Sequence, residues 1–396
     1  MKKKFVGDIP LSGKRVFVRN DFNVPLDKQQ HISDDTRIRE ALPTLQYLLE
    51  QGARIVCSSH LGRPKGEVIP DCSLKPVAVR LETLLKKKVR FIGETVGPAV
   101  EKAKKALKPG DILLLENLRF HPGETKNDET FARELSRGID VYVDDAFGAV
   151  HRAHASIEAI THCVPLAAAG FLLKKEIEYL SLATENPPIH TVVLLGGAKV
   201  SDKLPVISHL LTKVKTLLIG GAMAYTFLKA KGMKTGKSLV EDDFLSMCAD
   251  LLKRAEGLGK TILLPSDHIA ATKIEPNITV RVINPGEDIA EEMMGLDIGP
   301  ATIEAYCAEL AKAELIVWNG PMGVFEVNTF AAGTSEIAKA VAASKATTII
   351  GGGDTVAAVH QAGVASRITH ISTGGGASLE FLAGKKLPGI EALTEA

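Results

Sequence analysis

Four glycine-rich segments, GGAK (196–199), GGA (220–222), GGGDT (351–355) and STGGGAS (372–378), each follow a β-rich run, and most precede a helical pattern. Glycine lets backbone N–H groups come close to an anion, and the start of a helix adds a favourable dipole. One Gly-Gly pair after a strand carries little weight, because tight strand-to-helix turns use glycine anyway. Four such clusters in one half of the chain, three of them joined to Lys, Asp or Thr, point to a polyphosphate. The dinucleotide fingerprint GxGxxG is missing. Glycines two apart occur at Gly257/Gly259, Gly351/Gly353 and Gly374/Gly376, but the third glycine is replaced by Ile262, Val356 and Leu379. GMKTGKS (232–238) is one residue short of a Walker loop and follows a helical pattern instead of a strand, so it is set aside.

The first half supplies cations instead of glycines. Arg19, Arg37, His60, Arg63, Arg119 and Arg152 are scattered in sequence, yet most fall just after β-rich runs, and such ends converge on one crevice in a parallel sheet. A cluster of guanidinium groups offers two-pronged partners to phosphate and carboxylate oxygens. Arg37 opens a helix, where a cation is slightly unfavourable, so a ligand-facing role suits it. Asp21 and Asn23, in NDFNVP, can take substrate hydroxyls or form an Asx turn before Pro25; the sequence leaves both open. Charge agrees with an anionic ligand: residues 1–170 carry 27 Lys+Arg against 22 Asp+Glu, net +5, whereas residues 171–396 carry 21 against 25, net −4. Neither half is basic enough for a nucleic-acid track.

These residues need a scaffold. Apolar runs flanked by turn residues read as strands buried on both faces: 15–21, 53–60, 111–117 and 140–148 in the first half, and 191–199, 216–222, 261–267, 315–320 and 347–355 in the second. Helical segments such as 36–51, 73–88 and 334–344 lie between them, the signature of α/β architecture. The series appears twice, separated by 171–188, which reads as a helix stopped by Pro187-Pro188. The expectation is two doubly wound, Rossmann-like lobes with mainly parallel sheets, joined by an interdomain helix. The boundaries are 1–170, a connecting helix 171–186, a second lobe 187–377, and a final segment 378–396. A length of 396 residues suits more than one domain, and 45% hydrophobic with 24% charged residues excludes disorder and collagen-like repeats. The longest nearly apolar stretch, 163–173, is 11 residues, where a membrane span needs about 20. No secretory signal pattern follows the initial lysines. Cys57, Cys72, Cys163, Cys248 and Cys307, without a CxxC pair, read as inert reduced thiols and point to the cytoplasm.

The strings RNDFNVP, SSHLGRPKG, LLLENLRFHPGE, DDAFGAVHRAHAS, LLGGAKVSDK, MGLDIGP, WNGPMGVFE, GGGDT and STGGGASLEFL stand in one order from residue 15 to residue 382, and the chain resembles the phosphoglycerate kinase family. The resemblance implies a glycolytic transferase that moves a phosphoryl group reversibly between 1,3-bisphosphoglycerate and MgADP, giving 3-phosphoglycerate and MgATP. By motif, Asp21, Phe22 and Asn23 would take the hydroxyl and carboxylate region of phosphoglycerate in the first lobe. Arg37, His60, Leu61, Gly62, Arg63, Arg119 and Arg152 would surround its phosphate and the transferring group. In the second lobe Lys203 would neutralise nucleotide phosphate, and Lys199 would follow the moving phosphoryl. Gly295, Asn319 and Glu326 would line the nucleoside, Gly352, Gly353 and Thr355 would hold phosphate, and Asp354 would ligate Mg²⁺. Gly375 and its neighbouring glycines would present helix N-terminal amides to the transferring group. Arg37, Lys199 and Gly375 are thus the catalytic candidates.

The resemblance also implies a monomer that closes about a hinge at the ends of the 171–185 helix and near 374–378, with the tail 386–396 crossing back to the first lobe. It implies no nucleic-acid or membrane partner. Asn20 departs from the family pattern, where a small or β-branched apolar residue is expected, which puts local packing in question. Two other readings remain at this point: a two-lobed nucleotide-dependent dehydrogenase, weakened by the missing fingerprint, and a non-catalytic anion-binding protein, which has no use for nucleotide motifs.

Overall fold

A computed structural model describes residues 3–396. The chain divides into two compact units, one formed by 1–177 with 386–396 and the other by 178–385.

In the first unit six strands pair in parallel: β1 (Arg15–Asn20), β2 (Arg54–Ser58), β3 (Val89–Ile92), β4 (Ile112–Leu115), β5 (Val141–Asp145) and β6 (Ala167–Ala169), in the order β3-β4-β2-β1-β5-β6. The apolar runs are buried on both faces, as in β4, where Ile112, Leu113, Leu114 and Leu115 all lie inside. Each such side chain contributes about 1.5–3 kcal/mol by leaving water. The order reverses between β1 and β5, so the crevice favoured for ligands lies beyond the carboxyl ends of those strands. The tail returns to this unit: Gly389 N–H donates to the Val150 carbonyl at 2.9 Å, and Thr394 N–H to that of Ala167 at 3.0 Å. Ile390 and Leu393 are buried there.

The second unit repeats the plan with β7 (Thr191–Leu195), β8 (Thr216–Ile219) and β9 (Thr261–Leu263), then β10 (His268–Ala271), β11 (Arg281–Ile283) and β12 (Met294–Ile298), and finally β13 (Leu315–Asn319), β14 (Thr347–Gly351) and β15 (His370–Ile371). Six of these form a parallel sheet ordered β15-β14-β13-β7-β8-β9, which reverses between β13 and β7. The others form a three-stranded antiparallel sheet, β11-β10-β12, absent from the sequence reading. The Phe171–Thr184 helix contains the unit boundary. At its start the Asp145 carboxylate accepts Leu172 N–H at 2.9 Å and Leu173 N–H at 3.2 Å, a cap supplied from the end of β5.

The structure gives glycines of two of the clusters a packing role. A Cβ on Gly196 would overlap the carbonyls of Pro321 and Gly320, one on Gly220 would overlap the Met322 sulfur, and one on Gly221 the backbone of Gly197. Gly196 N–H donates to Asn319 O at 3.0 Å, and Gly221 N–H to Met322 O at 3.0 Å. These glycines let the β7 and β8 turns press against the backbone at 320–322, a packing requirement before it is a ligand requirement. Gly196→Ala is expected to lower unfolding free energy by about 2–3 kcal/mol through overpacking. Gly257→Ala, in a helix with open space around it, is expected to be neutral or stabilising by up to about 1 kcal/mol. Urea titrations of both variants check this; equal effects would contradict the packing role.

Candidate active site

In the first unit the basic side chains arrive from the ends of four strands. Arg19 is the next-to-last residue of β1, His60 follows β2, Arg119 follows β4 and Arg152 follows β5. Arg37 is the second residue of the Thr36–Glu50 helix and pairs with the buried Asp21 carboxylate, keeping a third of its own surface exposed. Arg119 Nη1 donates to the Gly62 carbonyl at 2.7 Å. Asn23 Oδ1 accepts Gly62 N–H at 2.9 Å, so Gly62, at φ +63°, ties the two sides of the basin together. Asn23 N–H donates to Asp21 Oδ1 at 3.2 Å; the Asx turn is real and coexists with the Arg37 pair.

Crowded positive charge governs titration here. Burial, then the cations of Arg19, Arg119 and Arg37, hold His60 well below its ordinary range. Burial and Arg19 bring His154 down to about 4. Arg119, buried beside Arg19 and Arg152, falls to about 10 and is still a cation at neutral pH. Set against these charges are Asp21 and the fully buried Glu124, and the excess is a place for an anion.

Several expected residues serve differently. Arg19 has no exposed surface, so the structure excludes the direct ligand contact first read for it. The Phe22 ring and Leu61 side chain are core; Phe22 N–H donates to Ser59 Oγ at 2.8 Å and the Leu61 carbonyl accepts Asn117 Nδ2 at 2.7 Å. Arg63 is exposed, as is Arg152, whose Nε reaches His151 Nε2 at 3.0 Å. Asn20 is buried, with Nδ2 on the Val18 carbonyl at 3.2 Å, so the polar departure is accommodated on one side, while its Oδ1 lacks a partner. Asn117, missed in the sequence, orients Arg119 by accepting its N–H at 3.0 Å; it stands inside LLLENLRFHPGE, where the following arginine drew the attention. Glu124, Ser156 and His154 were missed too, because nothing local distinguishes them from a loop.

In the second unit Lys203, just before the Leu204–Leu210 helix, donates to Asn319 Oδ1 at the end of β13. Burial lowers the Lys203 ammonium to about 8, partly offset by the carboxylates of Asp202 and Asp354. Asn319 Nδ2 is buried without a partner and lies against Gly352, at φ +91°, where the Gly353–Gln361 helix begins. Asp354 is exposed in the first turn of that helix. Thr355 is buried, its Oγ1 accepting Gly320 N–H at 2.6 Å, and its own N–H lies in the first turn of the helix, where no helical carbonyl reaches it. Gly351 lies beside Ser372 and Ser378, whose hydroxyls are 2.6 Å apart, which brings STGGGAS next to GGGDT. Gly375, at φ +51°, precedes the Gly376–Leu382 helix in open space. Lys199 and Glu326 are exposed, and Gly295 is packed against Tyr225 within β12.

Among the described residues no group of three or more His, Cys, Asp or Glu side chains forms a metal cage. A lone exposed carboxylate at a helix start suits Mg²⁺ that keeps its waters and takes phosphate oxygens, the usual habit of that ion with nucleotides. Asp354, exposed in the first turn of its helix and close enough for its charge to act on Lys203, is placed for that use.

Two parallel sheets of this kind, one ending in an arginine basin and the other in glycine turns with a lysine, mark a two-domain phosphotransferase. A family model described as phosphoglycerate kinase matches residues 6–385. A phosphoglycerate kinase of Koribacter versatilis is 56% identical over 401 residues, and one of Moorella thermoacetica 56% identical over 395, each covering 100% of both chains. The structure of phosphoglycerate kinase from Coxiella burnetii superposes with a TM-score of 0.91 at 40% identity, covering 98% of each chain. That from Pyrococcus horikoshii gives 0.83 at 34%, with the same coverage. The chain belongs to the phosphoglycerate kinase family.

Proposed function

We propose that the chain transfers a phosphoryl group reversibly between 1,3-bisphosphoglycerate and MgADP, giving 3-phosphoglycerate and MgATP. The observation that carries the reading is the excess of cationic charge gathered around His60 by Arg19, Arg119 and Arg37, against which stand Asp21 and Glu124. The acyl phosphate bond breaks between phosphorus and the carboxylate oxygen as a β-phosphate oxygen of ADP attacks from the opposite side. An acyl oxygen leaves readily, so the reaction asks for alignment and charge neutralisation, and little acid–base help. Arg37, His60, Arg63, Arg119 and Arg152 bind and orient the phosphoglycerate, with Asp21 and Asn23 on its hydroxyl and carboxylate. Lys203 and the amides of Gly352, Gly353 and Thr355 hold nucleotide phosphate, and Gly295, Asn319 and Glu326 line the nucleoside. Lys199 and the Gly375 amide follow the moving group. Mg²⁺ at Asp354 supplies further neutralisation of the nucleotide phosphates when bound. Transfer follows a hinge closure that excludes water between the two substrates.

No helix of the described residues is long and apolar enough to cross a membrane. We take the enzyme to be a cytoplasmic monomer acting on small molecules, without nucleic-acid or membrane partners. A coupled assay is the test. ADP formation from MgATP is expected only when 3-phosphoglycerate is present; ADP release independent of it, or none at all, contradicts the function.

Lys203 gives a pH signature. A free ammonium titrating near 8 is regained when phosphate binds, so MgADP affinity is expected to fall as pH rises through about 8, with proton uptake on binding above it. Calorimetry from pH 7 to 9.5 in two buffers measures this. Lys203→Met should bind weakly and lose the inflection; an inflection that persists assigns it to another group.

A further inference from the structure

His60 is surrounded by cations, which restricts how its ring can be used. Nδ1 stands 3.1 Å from Nη2 of Arg19. A guanidinium has hydrogens and no acceptor, so the imidazole nitrogen facing it must be the one without hydrogen. The ring hydrogen then sits on Nε2, which donates to nothing among the described residues. Arg19 is itself anchored on every side: Nε donates to Ser156 Oγ at 2.8 Å and Nη1 to the Asn20 carbonyl. Ser156 in turn is gripped twice by Glu124, Oγ donating to Oε1 at 2.6 Å and N–H to Oε2 at 3.0 Å. Glu124 and Arg19 have no exposed surface, and their closest charged atoms are 4.0 Å apart. Arg19, Ser156 and Glu124 are all fully buried, so His60 is the member of this chain that can meet a ligand.

We infer that Arg19 is a positioning residue, held by Glu124 through Ser156, which locks His60 in the tautomer with hydrogen on Nε2 so that the ring offers the anion a donor. The inference rests on the function proposed above only for the identity of the anion. Were Nδ1 to carry the hydrogen, the ring would turn a lone pair toward phosphate oxygens and repel them. Holding the tautomer in place beforehand spares binding the cost of rearrangement. It also leaves His60 Nε2 without the lone pair that an attack on phosphorus requires.

Nitrogen-15 spectra of the imidazole rings of the full-length protein at pH 7 test this directly, with His60 assigned by its loss in His60→Gln. The wild type is expected to show a protonated-type Nε2 and an unprotonated-type Nδ1, well separated. In Arg19→Met the two should move toward an average, and the KM for 3-phosphoglycerate should rise roughly tenfold or more, the scale of one charge-supported hydrogen bond. Arg19→Lys, which keeps a donor, should recover part of both effects. Should Arg19→Met not fold, Ser156→Ala loosens the anchor while sparing the charges and should shift the same resonances in part. A wild-type ring protonated on Nδ1 or on both nitrogens overturns the inference, as does an unchanged tautomer in folded Arg19→Met. The spectra need no turnover, so loss of the tautomer and absence of kinase activity are separate results.

Discussion

Arg37→Ala is expected to lower turnover by roughly 10³-fold or more while leaving MgADP binding nearly intact. Arg37 belongs to the anion unit, and an arginine that stabilises developing charge in phosphoryl transfer is worth roughly 10³–10⁵ in rate. Its partner shows how it is readied. The Asp21 carboxylate holds the guanidinium, while a third of the side chain stays open to solvent and free to reach a ligand. Removing the side chain also leaves Asp21 buried and unpaired, an added cost that falls on the same unit. Steady-state kinetics with both substrates, beside calorimetry with MgADP, separates the two effects. A variant retaining more than about a tenth of wild-type turnover shows that Arg37 only binds substrate, and loss of MgADP affinity shows that the damage is general.

Asp354→Asn is expected to weaken MgADP binding roughly 10–100-fold and to leave metal-free ADP unchanged or slightly tighter. A neutral amide oxygen is a poorer ligand for a hard cation than a carboxylate. The same substitution removes a negative charge from beside Lys203 and from the helix start that faces phosphate, which favours bare ADP. Opposite signs for the two ligands make the result specific. Equal losses mean that Asp354 serves the first turn of its helix and not a metal.

The parallel strands were legible because burial on both faces leaves short, nearly continuous apolar runs such as ILLL and TVVLL. The small antiparallel sheet was not: Arg281 and Val282 of β11 are exposed, and β10 and β12 are interrupted by Ala, Gly and Asp, so no period stands out. β3 (VRFI) buries only Val89, β6 is three alanines and β15 only two residues, too weak or too short to register as a pattern. Candidate site residues stood out in the sequence where a strand ends in an unusual polar residue, as at Asp21, His60, Asn319 and Asp354. Depth did not show. Arg19 looks in sequence like Arg119, yet its position on β1 places it wholly inside, and tertiary contacts with Ser156, the Asn20 carbonyl and the Glu124 carboxylate make that burial tolerable. The glycine doublets are ambiguous for a related reason: closeness of backbone to backbone and closeness of backbone to phosphate call for the same residue.

The central claim is that this chain aligns two substrates and neutralises charge, without lending a nucleophile of its own. ATP made chiral at the γ-phosphorus with three oxygen isotopes tests it most directly. A single displacement by the 3-phosphoglycerate carboxylate inverts the configuration, and we expect inversion in the acyl phosphate formed. Retention would require two displacements through a phosphorylated side chain and would contradict the mechanism; were that side chain His60, it would contradict the donor role assigned to that ring as well.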